Sequence, residues 1–338
     1  MKNGKYSISD VAEMLGVSKS TVSRAINGNS GVGDELRKKV LDLVDEIGYK
    51  PNTIAQSLSR GRVNIVALIL GDIRNPFYAD LAFNIQRILN SHGYMVMVFN
   101  SEYDVQREIE FLKLTIQFNF AGLILITAQT EIVEDMLHSM DVPMVLVNRI
   151  LPSYTGDSVL TDNFQAGYMA VMHLLELGHK HIGFVRGPGV SSASSQRFEG
   201  YRQALRNFSL PFNEEYVYES DLKMETGITL ARNFVKDLKV RPSAMVVVND
   251  MTAIGFIDGC RENGLSIPED LSIVSFDDIE FSAMKGIELT TISQHVDKMS
   301  EHAARLMLKQ LEEKDAKPER VILEPTLVIR KTTGPCKE

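Results

Sequence analysis

Apolar positions follow two regimes along the chain. Between residues 7 and 47 they recur at helical spacing; from residue 63 onward they come as short unbroken runs. Ser7-Ile8-Ser9-Asp10 has the form of a capping box, with Ser7 as N-cap and an acid three positions on. Val11, Ala12 and Leu15 then make one apolar stripe, and Gly16 suits the left-handed position after a helix end. Ser18 can cap a second helix that Gly28 would end, with Val22, Ala25 and Ile26 on one face. The opposite face carries Ser20, Ser23, Arg24 and Asn27, flanked by Lys19 and Thr21, and holds no acid. A third helix over 34–47 would bury Leu36, Val40, Val44 and Ile47. Three short helices with a tight first turn describe a helix-turn-helix.

The later runs NIVALIL (64–70), YMVMVF (94–99), GLILIT (122–127) and PMVLV (143–147) read as buried parallel strands. Helical stretches near 77–91, 104–118 and 130–139 separate them. HIGFVR (181–186), SAMVVV (243–248) and LSIVSF (271–276) repeat the pattern. Two sets of βαβ units predict an α/β body of two lobes, each a doubly wound parallel sheet. Between head and body stands Pro51-Asn52, then a stretch 53–58 whose apolar face is Ile54, Ala55 and Leu58. Six residues fall far short of the ~12–15 that hold a helix in water alone.

Composition narrows the class. At 338 residues, with 44% apolar and 24% charged positions, the chain can hold about two domains and a small module. Cys260 and Cys336 cannot form a disulfide framework, MKNGKYSISD lacks a signal peptide's apolar segment, and no apolar run is long enough for a membrane span. A cytoplasmic protein is expected. Residues 1–62 carry ten Lys/Arg and seven Asp/Glu, net +3, while the remainder carries −11, so affinity for nucleic acid belongs to the head alone. His173, His179 and His181 have no carboxylate or cysteine to complete a metal site. With no dinucleotide fingerprint and no nucleophile elbow, neither a cofactor nor an enzymatic activity is expected.

DVAEMLGVSKSTVSRAINGN (10–29) followed by GYKPNTIAQSL (48–58) resembles the DNA-binding head and hinge of the LacI/GalR family of transcription regulators. Asn75-Pro76-Phe77-Tyr78, Leu177-Gly178-His179, Asn249-Asp250 and Phe276-Asp277-Asp278 extend the resemblance in the family's order. It implies a head over 1–49, a hinge over 50–62, a first lobe of 63–162 with 292–322, and a second of 163–291 with 323–338. The body would resemble the periplasmic sugar-binding fold, crossing between lobes near 162, 291 and 322. Helix 296–313 would return to the first lobe, and strand 321–330 to the second. Lys19, Ser20 and Arg24 would reach base edges, while Ser18, Thr21, Ser23 and Asn27 would hold phosphates. Asn52, Ala55 and Leu58 would contact DNA through the hinge, Leu58 as a minor-groove wedge. Gly33-Asp34-Glu35-Leu36 departs from the family's usual Ser-x-x-Thr start to helix three, with Asp34 expected to cap instead.

Ligands of such sheets bind beyond the carboxyl ends of the strands. The expected effector positions are Asn75, Phe77, Tyr78, Ser101, Asn148, Asp162, Arg197, Asn249, Asp277 and Gln294, four of them (Arg197, Asn249, Asp277 and Gln294) by the resemblance. Asp250 and Asp278 are read as helix caps. Leu222 stands where many relatives place a stacking aromatic, which disfavours a planar purine. Arg186-Gly187-Pro188-Gly189 and the serines at 191, 192, 194 and 195 could hold an anion at a helix start, so a sugar phosphate stands beside a sugar as the expected effector. The partners implied are a double-stranded DNA operator, this small molecule and a second copy of the chain as a homodimer, with no membrane. Two alternatives remain: a catabolite-control regulator with a phosphoprotein corepressor, and a sugar receptor without DNA activity. Leu58→Ala is expected to leave the fold intact but to lower operator affinity and DNA bending; unchanged bending in a circular-permutation gel assay would rule out the wedge.

Overall fold

The computed structural model describes residues 6–26, 28, 30–49, 63–127, 131–237, 241–313 and 316–337. The chain divides into two compact units, Met1–Val63 and Asn64–Glu338. Asn27 and the hinge residues Asn52, Ala55 and Leu58 lie outside the described residues.

The first unit holds α1 (Ile8–Met14), α2 (Lys19–Ile26) and α3 (Asp34–Glu46). The capping box is formed: the Asp10 carboxylate accepts the Ser7 N–H at 2.6 Å while the Ser7 hydroxyl accepts the Asp10 N–H. Gly16 has φ +64, and the Gly16 and Val17 N–H groups bond back to the Glu13 and Ala12 carbonyls, a Schellman closure that sets the tight turn. Ser18 caps α2 by accepting the Thr21 N–H at 3.1 Å. Val11, Ala12, Val22, Ala25, Val40 and Val44 form the core, with Leu15, Ile26, Leu36 and Ile47 packed around it. Asp34 is not the cap of α3. Gly33 occupies that position without a side-chain bond, and Asp34 begins the helix, where its negative charge and that of Glu35 are favoured by the positive end of the helix dipole.

The second unit contains two six-stranded sheets among its described residues. The first follows the order β11-β5-β4-β3-β1-β2 and the second β12-β10-β9-β8-β6-β7. In sequence these are β1 (Val63–Leu70), β2 (Met95–Asn100), β3 (Phe120–Leu125), β4 (Met144–Val147), β5 (Asp157–Thr161), β6 (Ile182–Arg186), β7 (Val217–Glu219), β8 (Ala244–Val247), β9 (Ser272–Asp277), β10 (Thr290–Ser293), β11 (Arg320–Leu323) and β12 (Thr326–Val328). The helices are α4 (Pro76–Ser91), α5 (Val105–Gln117), α6 (Glu131–His138), α7 (Asn163–Glu176), α8 (Ser192–Asn207), α9 (Met224–Asp237), α10 (Asp250–Glu262) and α11 (Val296–Glu312). β1 shows why the runs are unbroken: Val66, Leu68 and Leu70 enter one core and Ala67 and Ile69 another, because helices cover both faces. Register is parallel throughout the β1–β2, β3–β4, β4–β5, β6–β8, β8–β9 and β9–β10 pairs, while β12 runs antiparallel to β10.

Two readings need correction. The run 94–99 is not a buried strand: β2 is an edge with β1 as its neighbour, and Met95 and Met97 are exposed. The stretch 321–330 is not one strand of the second lobe. Pro325 has no N–H to give to a ladder, so the stretch breaks into β11, paired with β5 in the first sheet, and β12, paired with β10 in the second. The chain thus passes between sheets after Thr161, after Ser293 and after Leu323.

In the second lobe two helix pairs meet backbone to backbone. A Cβ on Gly200 would overlap the Phe164 carbonyl oxygen, and one on Gly167 would overlap that of Arg197, so α7 and α8 touch through two glycines. Gly227 and Gly255 do the same for α9 and α10. Gly200→Ala should force α8 away from α7 at a cost of about 1–3 kcal/mol. Calorimetry should then show a lower Tm, and an unchanged Tm would contradict the close crossing.

Candidate functional site

In the head, α2 presents Ser18, Lys19, Ser20 and Arg24 at the surface, with Thr21 and Ser23 half-buried beside them. Val22 and Ala25 are buried on its other side, which fixes the helix rotation and turns the donor-rich face outward. The Ser18 hydroxyl serves as cap and also contacts those of Ser20 and Thr21 at 2.7 and 2.8 Å. No acid lies on α2, so the face offers hydrogen bonds and positive charge to a polyanion.

In the body, the carboxyl ends of both sheets line a cavity with about 40 Å³ of free space. Asn75, Phe77, Tyr78, Asn148, Arg197, Asn249, Asp277 and Gln294 all line it. Ser101 and Asp162 do not. Ser101 is buried and donates its hydroxyl to the Leu70 carbonyl, while exposed Asp162 caps α7 by accepting the Gln165 N–H. Its neighbour Asn163 is the buried residue that joins the site. Tyr103 was not singled out from the sequence, although it follows the carboxyl end of β2, where the crevice rule points. Arg149, Ser191, Ser194 and Leu222 complete much of the lining.

The polar groups form a closed ring. Asn148 Nδ2 donates to Gln294 Oε1 at 2.8 Å, and Gln294 Nε2 donates to Asp277 Oδ1 at 2.6 Å. Arg197 Nη1 stands 3.8 Å from the same carboxylate oxygen, both side chains being almost fully buried. Arg197 Nε donates to Asn163 Oδ1 at 2.8 Å, and Asn163 Nδ2 returns to Asn148 Oδ1 at 3.0 Å. Arg197 is further fixed by the Val248 carbonyl, which accepts from Nη1 at 2.7 Å, and by the Phe276 ring 4.6 Å beneath its guanidinium. Asp277 sits at φ +119, a strained position for a residue with a side chain. Burial pushes its carboxyl up to about 7, against the pull of the Arg197 charge.

Asn249, not Asp250, is the cap of α10; it accepts the Thr252 N–H and donates Nδ2 to the Leu222 carbonyl. Asp250 is fully buried and accepts from the Ser275, Ser282 and Thr291 hydroxyls and the Ile279 N–H, tying β9 to β10. Asp278 does not cap either: it pairs with Arg330 at 2.6 Å. The serines at the start of α8 are engaged locally, Ser191 as cap, Ser194 accepting the Gly187 N–H, and Ser195 donating to the Gly189 carbonyl. Ser192 accepts the Ile150 N–H at 3.0 Å across the cleft. This arrangement suits a neutral ligand better than an anion. His179 bonds Ser243, Ser272 and the Gly334 carbonyl, and His173 bonds Thr333. Among the described residues no group of three or more His, Cys, Asp and Glu could hold a metal, and no helix is long and apolar enough to cross a membrane.

A helix-turn-helix head on a two-sheet body with a polar interlobe cleft defines a DNA-binding transcriptional regulator with an effector-type domain. Residues 7–52 match the model of bacterial regulatory proteins of the lacI family, and residues 171–333 that of periplasmic binding protein-like domains. The HTH-type transcriptional regulator DegA of Bacillus subtilis (strain 168) is 31% identical over 335 residues, 98% of this chain and 99% of that one. The structure of the lac repressor dimer bound to operator and the anti-inducer ONPF superposes with a TM-score of 0.85 at 25% identity, over 98% of this chain and 100% of that one. A LacI family transcriptional regulator from Enterococcus faecium with bound ribose gives 0.72 at 27% identity, over 81% and 100%. The chain belongs to the LacI family of transcriptional regulators.

The raised carboxyl of Asp277 has a signed consequence for stability. Its pKa is about 7 in the folded chain against 3.8 as an ordinary side chain, so the folded state holds this proton more tightly. The resulting stabilisation is full below about pH 4 and is lost as pH rises to about 7. Asp277→Asn removes that term. Between pH 4 and 7 the Tm of the wild type should therefore fall relative to that of the variant, and parallel curves would contradict the assignment.

Proposed function

We propose that the protein is a transcriptional repressor that binds a pseudo-palindromic operator as a homodimer and is controlled by a small sugar or sugar derivative in the interlobe cleft. The carrying observation is the buried ring of Asn148, Asn163, Arg197, Asp277 and Gln294, whose paired donors and acceptors match the hydroxyls of a carbohydrate. Lys19, Ser20 and Arg24 read bases, Arg24 in a bidentate contact to guanine, while Ser18, Thr21 and Ser23 hold phosphates. Asn27, Asn52, Ala55 and Leu58 are assigned to the same DNA interface by the sequence alone. Asn75, Phe77, Tyr78 and Asn249 complete the effector site. The protein acts in the cytoplasm and catalyses no reaction. The ribose-bound relative and the operator-bound lac repressor support the two halves of this reading.

The free cavity is far below the ~300–1,000 Å³ of typical ligand sites, so the lobes must part to admit a sugar. Binding then rearranges the ring, and the effector shifts the DNA-binding equilibrium by its differential affinity for the two arrangements. Gel-shift titration on an operator from the protein's own promoter tests both halves. Arg24→Ala should weaken operator binding by about 1–3 kcal/mol and relax preference at one base pair. An active sugar at ~100 times its Kd should raise stability by about 2.7 kcal/mol in a thermal-shift assay and change the operator Kd. Equal loss on operator and random DNA would remove Arg24 from base reading. A sugar that stabilises the protein without moving the operator Kd would remove the regulatory link.

A further inference from the structure

The outer strands of the first sheet border a cavity that the cleft does not use. Side chains alternate between the two faces along β4, β5 and β11. Val145, Val147, Val159 and Leu323 turn to the core formed with α4 and α11, so Leu146, Ser158 and Arg320 turn to the opposite face. Pairing registers Leu146 with Ser158 and Ser158 with Arg320, which sets the three side by side in one row across the strands. The segment from Ile150 to Gly156 lies over that row as a roof, and the two border about 380 Å³ of free space. This volume falls within the ~300–1,000 Å³ of typical ligand sites.

The roof is fastened at three points. The Ile150 N–H donates to Ser192 Oγ at 3.0 Å, the Tyr154 hydroxyl donates to the Met144 carbonyl at 2.9 Å, and Ser153 Oγ meets His138 Nε2 at 2.5 Å. Beneath it the chemistry is uneven. Ile150, Leu151, Pro152, Tyr154 and Pro318 supply apolar surface around Leu146. Ser158 is only 6% exposed, yet its hydroxyl bonds no group among the described residues. Arg320 beside it forms no ion pair among them either. The one acid of the lining, Glu319, is engaged from α11, where Arg305 donates to both its carboxylate oxygens at 2.6 and 3.1 Å. Arg149 directs its donors to the Thr127 and Asn148 carbonyls and the Tyr78 hydroxyl.

We propose that this cavity is a second ligand site, distinct from the interlobe cleft, for a small organic monocarboxylate with an apolar body. Ser158 and Arg320 stand on adjacent strands about 4.8 Å apart, so both side chains can donate to one carboxylate. The planar guanidinium offers that group two parallel hydrogen bonds. The unpartnered Ser158 hydroxyl supplies another, and the roof with Leu146 covers the apolar body. A sugar finds few partners for its hydroxyls on such walls, and the single uncompensated cation of the floor sets the ligand's charge at one.

The test is isothermal titration calorimetry on the full-length protein with benzoate, phenylacetate and hexanoate, each against its neutral amide. At least one carboxylate should bind at least about ten-fold more tightly than its amide, the difference expected of a hydrogen-bonded charge. Arg320→Gln, at an exposed side chain, should remove that preference. Ser158→Leu, which fills the cavity, should abolish binding of acid and amide alike, and Arg320→Gln decides the matter if the leucine variant does not fold. Asp277→Asn, in the cleft, should leave the carboxylate affinity within about two-fold, as distant sites act independently. Equal affinity for acid and amide, a preference kept in Arg320→Gln, or binding by no member of the panel overturns the second site. Affinity lost in Asp277→Asn but kept in Arg320→Gln overturns it too, by placing the anion in the cleft. Each of these results leaves the sugar and operator readings standing.

Discussion

The geometry of the body's cleft turns on one constraint: five buried polar side chains from both lobes have to satisfy one another. Asn148 comes from the end of β4 in the first lobe, Asn163 and Arg197 from α7 and α8 in the second, Asp277 from the end of β9, and Gln294 from the connection that follows β10. Each amide has its oxygen and nitrogen placed by the next member, so no single side chain can turn without leaving a neighbour unpaired. A buried donor or acceptor without a partner costs about 1–3 kcal/mol. The arrangement is therefore held as a unit, and the Ile150–Ser192 bond adds a backbone anchor across the same gap.

That ring depends on the packing behind it. Arg197 can enter the cleft because α8 lies against α7 at Gly167 and Gly200, with no Cβ between the two backbones. Its charge rests on Phe276, itself fully buried on β9 of the second sheet. Asp277 is pinned at a strained φ because Asp250 gathers four donors from the surrounding segments and locks the end of β9 in place. Partnered burial of this kind explains how two carboxylates and a guanidinium coexist in an apolar lobe.

Local chemistry in the sequence located much of this. Ser7, Asp10, Gly16 and Ser18 act on backbone groups three or four residues away, so capping and turn rules reach them directly. The central strands were legible because helices cover both faces, leaving unbroken apolar runs. Failures came where a residue's role is set by distant partners. β2 carries the same apolar run, but only topology makes it an edge. Asp162 and Asn163 are adjacent polar residues at one crossing, and nothing local says which one turns inward. Asp250 follows a strand as a cap would, yet its partners lie 25 to 41 positions away. Tyr103 is one of ten tyrosines, and its place in the cleft lining depends on Gly71 across the sheet end.

The closed ring also governs how a ligand can act. An entering molecule must break bonds that are already made, so its affinity is a difference between its own hydrogen bonds and those it displaces. Each hydrogen bond nets only about 0.5–1.5 kcal/mol, and a ligand that leaves one ring member unpaired forfeits more than it gains there. In the proposed function, discrimination against analogues that lack a single hydroxyl would be steep, as in any site whose buried polar groups must all be matched. The same feature gives the ligand leverage over the lobes. The Asn148–Asn163 and Ile150–Ser192 bonds join the two lobes. A molecule that replaces them with its own contacts sets the closure equilibrium by differential affinity, and linkage makes that setting felt wherever closure is coupled to DNA.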